Sequence, residues 1–529
     1  MKLYISFFAI LVYCFSFSQE DDKVNSVRKF NEVMSYINNM YVDEVKNDEL
    51  TEAAIVSLME ELDPHSTYIS KEDVADANER INGNFVGIGI RFQILKDTLN
   101  VVATIPGGPS EKLGILAGDK IVMIEEESVA GVGLKNSQVR EKLLGDKGTK
   151  VKVRIKRKNL TKELDFTITR DVIPVNSVDA AYMITAETGY IKLNTFSRSS
   201  HEEVVTGIKK LKKAGMKNLI FDLQGNGGGL LYAAKYLGDE FLSDDKLIVY
   251  SEGRSQPRID LNSESKGLWE KGRLIMLTDE YSASASEILS GAVQDWDRGL
   301  VVGRRTYGKG LVQRPINLTD GSQIRLTIAR YYTPSGRFIQ KPYDDADSYK
   351  KDLMNRYENG EFMSQDSIKF PDSLKHTTLL TERTVYGGGG IMPDYFVPLD
   401  TANISDYFTS IVRGGHLNTY TLSYVNKNRA GLAERYPTFE DFKEGFNMDE
   451  DFMKAFFEYV ENEDSELTFD EEGYKESEDI LKLRIKAMFA QNLWGYSEFY
   501  QIYNDSNEIL QKALEIIESK EYSKAGLAK

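Results

Sequence analysis

The chain has 529 residues, which is too long for a single hydrophobic core and predicts three or four domains of roughly 100–200 residues each. Hydrophobic residues make up 41% of it and aromatic residues 11%, values typical of globular domains rather than of a disordered chain. The formal net charge is −16, which argues against a nucleic acid as partner, because binding to that polyanion depends on clustered Lys and Arg.

The first 18 residues have the pattern of an export signal peptide. Lys2 gives a positive start, residues 3–17 form an apolar run, and the small residues Ser16 and Ser18 precede a plausible cleavage point at Gln19. We therefore expect an exported, periplasmic protein. An uncleaved signal would leave the protein membrane-associated, although the apolar run is short for a span of about 20 residues.

The only cysteine, Cys14, lies inside this predicted signal. The bulky Tyr13 before it disfavours a lipid-attachment site, where a small residue would be expected. Once the signal is removed no thiol remains, which excludes disulfides, a cysteine nucleophile and cysteine-ligated metals. We expect stability to come from packed cores.

Both ends of the mature chain are predicted to be helical. In the N-terminal segment, residues 19–80, apolar side chains recur at helical spacing and predict two or three amphipathic helices. The C-terminal extension, residues 401–529, is rich in helical pattern, and its acidic runs are typical of solvated helix faces. These terminal regions are the candidates for contact with an adaptor or a second copy of the chain.

Residues 83–170 form a separate unit with strand-like alternation. The glycine-rich stretch 106–114 and the turn 116–121 follow in the same register. This pattern resembles a PDZ domain. The resemblance implies that a loop holds a peptide's terminal carboxylate by its backbone N–H groups while the peptide adds a strand to the sheet edge. The loop residues are Gly87, Ile88, Gly89 and Ile90. An ordinary glycine turn is the alternative for this loop taken alone.

Residues 171–400 alternate strand and helix patterns. The order β-α-β-α predicts stacked βαβ units that carry function on their connecting loops. Residues 343–385 interrupt this region. They are charged and weakly periodic, and we expect an insertion near the surface.

A serine cluster and a lysine turn are the strongest chemical signal. Residues 282–287 read Ser-Ala-Ser-Ala-Ser-Glu between a predicted apolar strand and a predicted helix, and Lys309 follows in a Gly-Lys-Gly turn. A serine hydroxyl needs a neighbour that takes its proton, and a lysine does so only when burial brings its pKa well below about 10.4. The N–H of Ala285, near the helix start, has no partner within the helix and could stabilise an oxyanion.

Together, these segments resemble the C-terminal processing (tail-specific) serine proteases, over roughly residues 25–400. The resemblance implies an α/β (α+β) multidomain protein, whose stacked βαβ core of crotonase or Clp-protease type carries an inserted PDZ domain. It also implies that Ser284 is the nucleophile, Lys309 the base and Gln313 the residue that orients the lysine. Ser282 and Ser286 remain candidates for turn and helix-capping roles.

Residues 222–229 read Asp-Leu-Gln-Gly-Asn-Gly-Gly-Gly and follow a predicted buried strand. The loop lacks the Lys and Ser/Thr of a phosphate-binding P-loop, and its spacing differs from the dinucleotide fingerprint. The family resemblance implies that Gly229 supplies one N–H of the oxyanion hole, paired with that of Ala285. The family usually has arginine and often proline where this chain has Gln224 and Gly227, which puts the contact of that arginine in doubt.

The four histidines are His65, His201, His376 and His416. A Ser-His-Asp triad would need one of them. His65 is the candidate to consider, but its segment, residues 62–68, resembles a recurrent family segment that we interpret as structural. His201 starts a predicted helix, and the last two lie in irregular or appended regions, so a histidine triad is not favoured. No histidine–carboxylate spacing resembles a zinc site. We expect neither a metal nor a cofactor.

The leading hypothesis is an exported serine endopeptidase with a Ser-Lys dyad, which takes protein or peptide substrates by their free C-termini. The alternative is a non-catalytic PDZ scaffold with a retained protease body. Loss of the serine, the lysine or the oxyanion glycines would indicate such a scaffold, and none of these residues is lost. A third reading, a crotonase-like acyl-thioester enzyme, would need neither the PDZ unit nor Lys309.

Overall fold

The computed structural model describes residues 24–527 except 96, 159 and 244. The predicted signal peptide, residues 1–18 with Cys14, lies outside the described residues. The chain divides into two compact units. One ends at Lys71 and also contains Gln313–Thr327, and the other comprises Glu72–Val312 and the chain from Ile328 onwards.

The first unit is built on two helices and a short strand. These are α1 (residues 24–40), α2 (Asn47–Glu60) and β1 (Thr67–Ile69). β1 pairs antiparallel with residues 323–325. The Asp63 carboxylate accepts hydrogen bonds from the backbone N–H and hydroxyl of Ser66 (2.9 and 2.7 Å) and from the hydroxyl of Thr327 (3.1 Å). The turn before β1 is therefore a hydrogen-bonded structural element.

The predicted PDZ unit is an antiparallel sheet with two short helices. Its elements, entered through α3 (Val74–Asn82), are β2 (Asn84–Gly87), β3 (Ile90–Leu95), β4 (Thr98–Thr104), α4 (Pro109–Lys112), β5 (Lys120–Ile124), β6 (Glu127–Ser128), α5 (Asn136–Leu143), β7 (Lys150–Lys156), β8 (Leu164–Thr169) and β9 (Asp171–Pro174). The main sheet has the order β3-β4-β5-β7-β8, and β2 pairs with β9. Among the described strands β3 has β4 as its only neighbour, so its outer edge is open to a further strand.

The next region carries the predicted stacked βαβ units. Its elements are β10 (Val178–Met183), β11 (Thr188–Leu193), α6 (Ser200–Lys213), β12 (Asn218–Asp222), α7 (Leu231–Phe241), β13 (Leu247–Gly253), β14 (Gln256–Asn262), β15 (Arg273–Thr278), α8 (Ala285–Asp295), β16 (Leu300–Gly303), β17 (Leu311–Asn317), β18 (Gln323–Tyr332), α9 (Ala346–Lys350), α10 (Asp352–Glu358), β19 (Lys375–Thr377), β20 (Thr384–Tyr386) and β21 (Tyr395–Phe396). The central sheet has the order β10-β11-β12-β15-β16-β21.

From β11 to β21 this sheet is parallel, and β10 is antiparallel at its edge. β12, β15 and β16 are neighbours, and they lead into the glycine loop, the serine turn and the lysine turn respectively. Because parallel strands end at the same edge of a sheet, this topology brings the three predicted functional loops together.

Part of the predicted surface insertion is buried. The guanidinium of Arg356, on α10, is 4% exposed and pairs with Glu361 (2.8 Å), which also binds Arg305 (2.6 Å). Arg356 donates further hydrogen bonds to the carbonyl oxygens of Arg305 (2.8 Å) and Thr306 (3.2 Å). The interval 343–385 therefore supports the turn that leads to Lys309, because it supplies a buried cation to that turn.

The C-terminal extension is helical, as predicted. Its helices are α11 (Asp406–Arg413), α12 (His416–Arg435), α13 (Phe439–Gly445), α14 (Glu450–Glu463), α15 (Glu471–Leu493), α16 (Tyr496–Tyr503), α17 (Glu508–Glu518) and α18 (Glu521–Lys524). α11 to α16 share a core rich in aromatic side chains. None of the helices within residues 24–527 is both long and apolar enough to cross a bilayer.

The last helices cover one face of the central sheet. Ile509, Leu510 and Ile516 of α17 pack against Ile220 and Ile275 of β12 and β15. This contact was not predicted from the sequence, which left the extension without a structural task. The extension is therefore part of the hydrophobic core under the predicted active site.

Asp179, on the edge strand β10, carries a half-buried carboxyl group. Burial raises its pKa from 3.8 to about 6, and the positive charge of Lys192 opposes this rise. Because the folded-state pKa lies above the unfolded value, the charged form is disfavoured in the folded state. This group therefore favours folding fully below about pH 4, and that contribution is lost as the pH rises through about 6.

We expect the variant Asp179→Asn to be more stable than the wild type at pH 7.5, by about 2–3 kcal/mol in the free energy of unfolding. At pH 4 the two proteins should be nearly equal, because Asp179 is then neutral in the folded state. Chemical denaturation at the two pH values measures the difference. The exposed Asp479→Asn on α15 is the control, and a pH-independent effect of Asp179→Asn would contradict the prediction.

Candidate active site

Ser284 lies in the turn between β15 and α8, directly before the first helical residue. Its backbone angles are φ 57° and ψ −111°, a conformation that L-residues rarely adopt. Such strain costs on the order of 1–3 kcal/mol and persists only where the surroundings hold it. The Ser284 side chain is partly exposed, in contrast to its buried neighbours. Ser284 is thus the one serine of the cluster that is not fully buried, and its backbone is strained.

The other two serines of the cluster are buried and bonded. Ser282 donates its hydroxyl to the carbonyl oxygen of Leu223 (2.8 Å), and Ser286 donates to that of Asn226 (2.8 Å). Both residues are 0% exposed. The roles left open for them are thus resolved: they attach the serine turn to the glycine loop, and neither hydroxyl is accessible to a substrate.

Glu287 is fully buried and connects the serine turn to the lysine turn. Its Oε2 accepts hydrogen bonds from the backbone N–H groups of Ser284 (2.7 Å) and Lys309 (2.9 Å). Its Oε1 accepts from the Thr306 hydroxyl (2.6 Å) and the Gly308 N–H (2.7 Å). Burial raises the pKa of Glu287, and these four donors oppose the rise. One carboxylate therefore holds the backbones of Ser284 and Lys309 in a fixed relation.

The sequence analysis missed Glu287, although its signal was present. A serine followed three residues later by glutamate at a helix start is a capping box, in which the glutamate reaches back to the N–H of the capping residue. The structure has this capping box at Ser284 and Glu287. The additional donors from the lysine turn could not be read from the sequence.

Tyr331 makes a second connection between the same two turns. Its hydroxyl lies 3.0 Å from the carbonyl oxygen of Ser284 and also bonds the carbonyl oxygen of Lys309. The side chain is fully buried, and burial raises its pKa well above the ordinary value. The single hydroxyl proton is therefore shared between the two carbonyl oxygens.

The glycine loop is tied to the serine turn by Asp279 and Asn226. The Asp279 carboxylate accepts from the N–H groups of Gly225 (2.9 Å) and Ser282 (3.0 Å). The carbonyl oxygen of Asn226 accepts from the Ala283 N–H (3.0 Å), and its side-chain oxygen accepts from the Gly228 N–H (2.9 Å). These bonds hold the glycine loop beside Ser284.

Gly228 lies against the serine turn, and Gly229 follows it. A Cβ atom on Gly228 would lie 2.8 Å from the Ser284 Cβ and 2.9 Å from the Ala285 nitrogen. Among the described residues, neither the Gly229 N–H nor the Ala285 N–H donates a hydrogen bond. Two unbonded donors therefore lie on adjoining segments next to Ser284, which is the arrangement that an oxyanion hole needs. The sequence analysis named Gly229 and missed the close approach of Gly228.

The structure places a cation at the start of the glycine loop, where the family pattern has arginine and this chain has Gln224. The ammonium group of Lys192, on β11, binds Asp222 (3.1 Å) and the carbonyl oxygen of Gln224. Lys192 is 5% exposed. The loop is thus bound to a positive charge that comes from a neighbouring strand.

Gln313 lies on β17, and its side-chain amide donates to the carbonyl oxygen of His65. This contact belongs to the first unit. The role of Gln313 in orienting Lys309 stays a prediction.

The predicted carboxylate loop of the PDZ unit also carries unbonded donors. The carbonyl oxygen of Ile88 accepts from the N–H and hydroxyl of Ser110 (3.1 and 2.6 Å), and that of Gly89 accepts from the Ile105 N–H (2.9 Å). The N–H groups of Ile88 and Gly89 donate to no other residue that the structure describes. Ile90 then begins the edge strand β3. The loop therefore turns its carbonyl oxygens toward the protein and leaves two donors open.

The histidines have structural environments. His201 pairs with Glu240 (2.8 Å), His376 lies on β19, and His416 is buried at the start of α12. Within the described ranges, no three side chains of His, Cys, Asp and Glu cluster as metal ligands.

The chain matches four family descriptions in sequence order. Residues 15–73 match the N-terminal domain of the activating protease CtpB, residues 86–168 a PDZ domain, residues 187–347 peptidase family S41, and residues 407–495 a family of unknown function.

Two relatives and one solved structure illustrate the similarity. A carboxy-terminal-processing protease of Bartonella bacilliformis is 33% identical over 328 residues, 61% of this chain and 74% of the relative. A probable CtpA-like serine protease of Staphylococcus epidermidis is 33% identical over 316 residues, 59% of this chain and 63% of the relative. A photosystem II D1 C-terminal processing protease is similar over 58% of this chain and 88% of its own, with 27% identity and a TM-score of 0.33.

A mixed α/β core of peptidase family S41, joined to a PDZ domain, defines a serine protease. The chain belongs to the C-terminal processing proteases of this peptidase family, which confirms the resemblance predicted from the sequence.

Replacing Glu287 by glutamine should lower kcat by about 10²-fold or more, because the amide cannot accept from all four donors and the two turns shift relative to each other. KM should stay within about threefold, since no substrate contact is removed. Steady-state kinetics on an unfolded protein substrate measure both. Ser290→Ala, one turn further along α8, is the control for a change inside this helix. A Glu287→Gln enzyme with wild-type kcat would contradict the role of this carboxylate.

Two neighbouring glycines provide a matched comparison in the glycine loop. A Cβ on Gly228, whose φ is +98°, would lie 2.7 Å from the Ala283 carbonyl oxygen, whereas a Cβ on Gly227 would have nothing within 4 Å. We expect Gly228→Ala to lower kcat by about 10²-fold and Gly227→Ala to stay near the wild type. Equal activity of the two variants would argue against close packing of the loop on Ser284.

Proposed function

We propose that this protein is an exported serine endopeptidase that recognises protein substrates by their C-terminal tails and cleaves them with a Ser-Lys dyad. Ser284 is the nucleophile, Lys309 the base and Gln313 the residue that orients the lysine, as the family pattern implies. The observation that carries the proposal is the Glu287 carboxylate, which binds the backbone N–H groups of both Ser284 and Lys309.

In the first step of the proposed mechanism, neutral Lys309 takes the hydroxyl proton while Ser284 attacks the scissile carbonyl carbon. The carbonyl oxygen becomes an oxyanion, and the N–H groups of Gly229 and Ala285 stabilise it. A donor of this kind contributes about 3–4 kcal/mol to the transition state in comparable sites. The lysine then returns the proton to the leaving amine, and water hydrolyses the acyl-enzyme.

Tail recognition is assigned to the loop of Gly87, Ile88, Gly89 and Ile90. Two of its N–H groups are unbonded among the described residues, and the adjoining strand β3 has an open edge. A peptide can therefore place its carboxylate on the loop and its backbone along β3.

The proposed domain organisation is an N-terminal segment over residues 19–80, a PDZ domain over 83–170, a catalytic core over 171–400 and an extension over 401–529. Export to the periplasm rests on the signal pattern of residues 1–18. For association with a second copy or an adaptor, α1 is the candidate, since it exposes a row of apolar side chains: Val24, Val27, Phe30, Val33 and Tyr36.

A non-catalytic scaffold is not favoured. The backbone of Ser284 is strained, and the buried Glu287 carboxylate holds it in that conformation. A protein that only binds peptides would not need this strained conformation.

The test compares an unfolded protein substrate that has a free C-terminus with the same substrate amidated at that end. We expect cleavage of the free form only, and at least about 10³-fold lower kcat for Ser284→Ala and for Lys309→Met, because each removes a group that bonds or transfers a proton in the reaction. Gel assays and mass spectrometry of the products measure both effects.

Lys271→Met, an exposed lysine before β15, is the control and should cleave as the wild type does. Full activity of Ser284→Ala would contradict the proposed mechanism. Equal cleavage of the amidated and the free substrate would contradict tail recognition but would not contradict the mechanism.

A further inference from the structure

The C-terminal extension reaches the glycine loop through one buried lysine. We propose that Lys192 is a positioning residue for the oxyanion donor Gly229, and that Tyr500 of α16 holds this lysine in place, so that the extension contributes directly to the catalytic rate. This inference rests on the proposed function, since it takes the glycine loop to be the oxyanion loop.

At the start of the glycine loop, hydrogen bonds fix both the N–H and the carbonyl oxygen of Gln224. The Gln224 N–H donates to Asp222 Oδ1 (2.8 Å), and the Gln224 carbonyl oxygen accepts from the Lys192 ammonium group. Asp222 Oδ2 accepts from the Tyr190 hydroxyl (2.5 Å). Both backbone groups of Gln224 are therefore fixed, five residues before Gly229.

A buried ammonium group is stable only when it is paired and hydrogen-bonded. Lys192 has Asp222 as its ion-pair partner at 3.1 Å, and the half-buried Asp179 carboxyl group interacts with the same positive charge. A further contact of this ammonium group comes from the C-terminal extension. The ring of Tyr500 lies with its centroid 5.9 Å from the Lys192 ammonium nitrogen, within the range of a cation–π contact.

Helix α16 is anchored at this point by further bonds. The Tyr182 hydroxyl lies 3.4 Å from the Tyr500 carbonyl oxygen, and the Asn504 side-chain amide donates to the same hydroxyl (2.8 Å). Tyr182 belongs to β10, the edge strand of the central sheet. The backbone of α16 at Tyr500 is therefore attached to the sheet by hydrogen bonds as well as by the cation–π contact of its ring.

The position of the loop matters because an oxyanion donor acts only at short range. A displacement of about 1 Å in a catalytic group can cost about 10²-fold in rate. Loss of the Tyr500 ring would open Lys192 to water, and water would compete for the ammonium donor that now binds the Gln224 carbonyl oxygen. We expect the loop to move and the ground-state contacts with the substrate to stay as they are.

The test measures oxyanion stabilisation separately from substrate binding. A peptide aldehyde that carries a substrate tail forms a hemiacetal with Ser284, which places an oxygen where the oxyanion develops. For Tyr500→Leu we expect kcat to fall about tenfold and the inhibition constant of the aldehyde to rise by about the same factor, with KM unchanged. Tyr500→Phe keeps the ring and should behave as the wild type.

Two further variants separate positioning from folding. Lys192→Met should lower kcat more than Tyr500→Leu does. Lys192→Arg should recover part of that kcat, because it keeps a cation at the loop. Tyr496→Leu, one turn earlier on α16, is the matched control, since its ring lies 5.7 Å from Arg91 and not over Lys192. Thermal unfolding of every variant shows that the compared proteins are folded at the assay temperature.

An aldehyde inhibition constant within twofold of the wild type in folded Tyr500→Leu would overturn the inference. If Tyr500→Leu is unfolded, an aldehyde inhibition constant within twofold of the wild type in Lys192→Met would overturn the inference. Ser284→Ala in the same assay keeps the two proposals apart. If Ser284→Ala is inactive while Tyr500→Leu and Lys192→Met behave as the wild type, the proposed function is supported and the proposed role of the extension is wrong.

Discussion

Glu287 has no exposed surface, and its carboxylate accepts four hydrogen bonds from two turns that are far apart in sequence. A buried charge without partners would cost several kcal/mol, so the carboxylate and the four donors stabilise one another only when both turns are in place. This mutual dependence holds Ser284 and Lys309 in one arrangement. The strained backbone of Ser284 is sustained in the same way, because its N–H is bound to Glu287 and its carbonyl oxygen to Tyr331.

Further hydrogen bonds fix the loops around the two turns that Glu287 connects. Asp279 and Asn226 attach the glycine loop to the serine turn, and Arg356 supports the lysine turn from the interval 343–385. Each of these side chains binds backbone groups, so the geometry of the site is held by hydrogen bonds to the main chain. Ser284 and Lys309, the proposed reacting residues, are themselves only partly buried.

The C-terminal extension is integrated with the protease core. α17 packs its apolar face on β12 and β15, the strands that lead into the glycine loop and the serine turn, and Tyr500 of α16 lies over Lys192. The extension therefore covers one face of the sheet and contacts Lys192, the side chain that binds the start of the glycine loop. A region that carries no chemical motif of its own still determines the surroundings of the residues that do.

Local pattern was sufficient to place most of the fold. Apolar periodicity predicted alternating strands and helices over residues 171–400, and the motifs that carry the family resemblance named Ser284, Lys309, Gly229 and the PDZ loop, because these signals lie within short stretches of chain. Only the tertiary structure revealed the contacts of Glu287, Lys192 and Tyr500. Thr306 is 19 residues from Glu287, and Tyr500 is remote in sequence from Lys192, so their meeting depends on the order of strands in the sheet and on the packing of the last helices. Sequence periodicity reports which face of an element is buried, and it carries no information on which distant partner that face will meet.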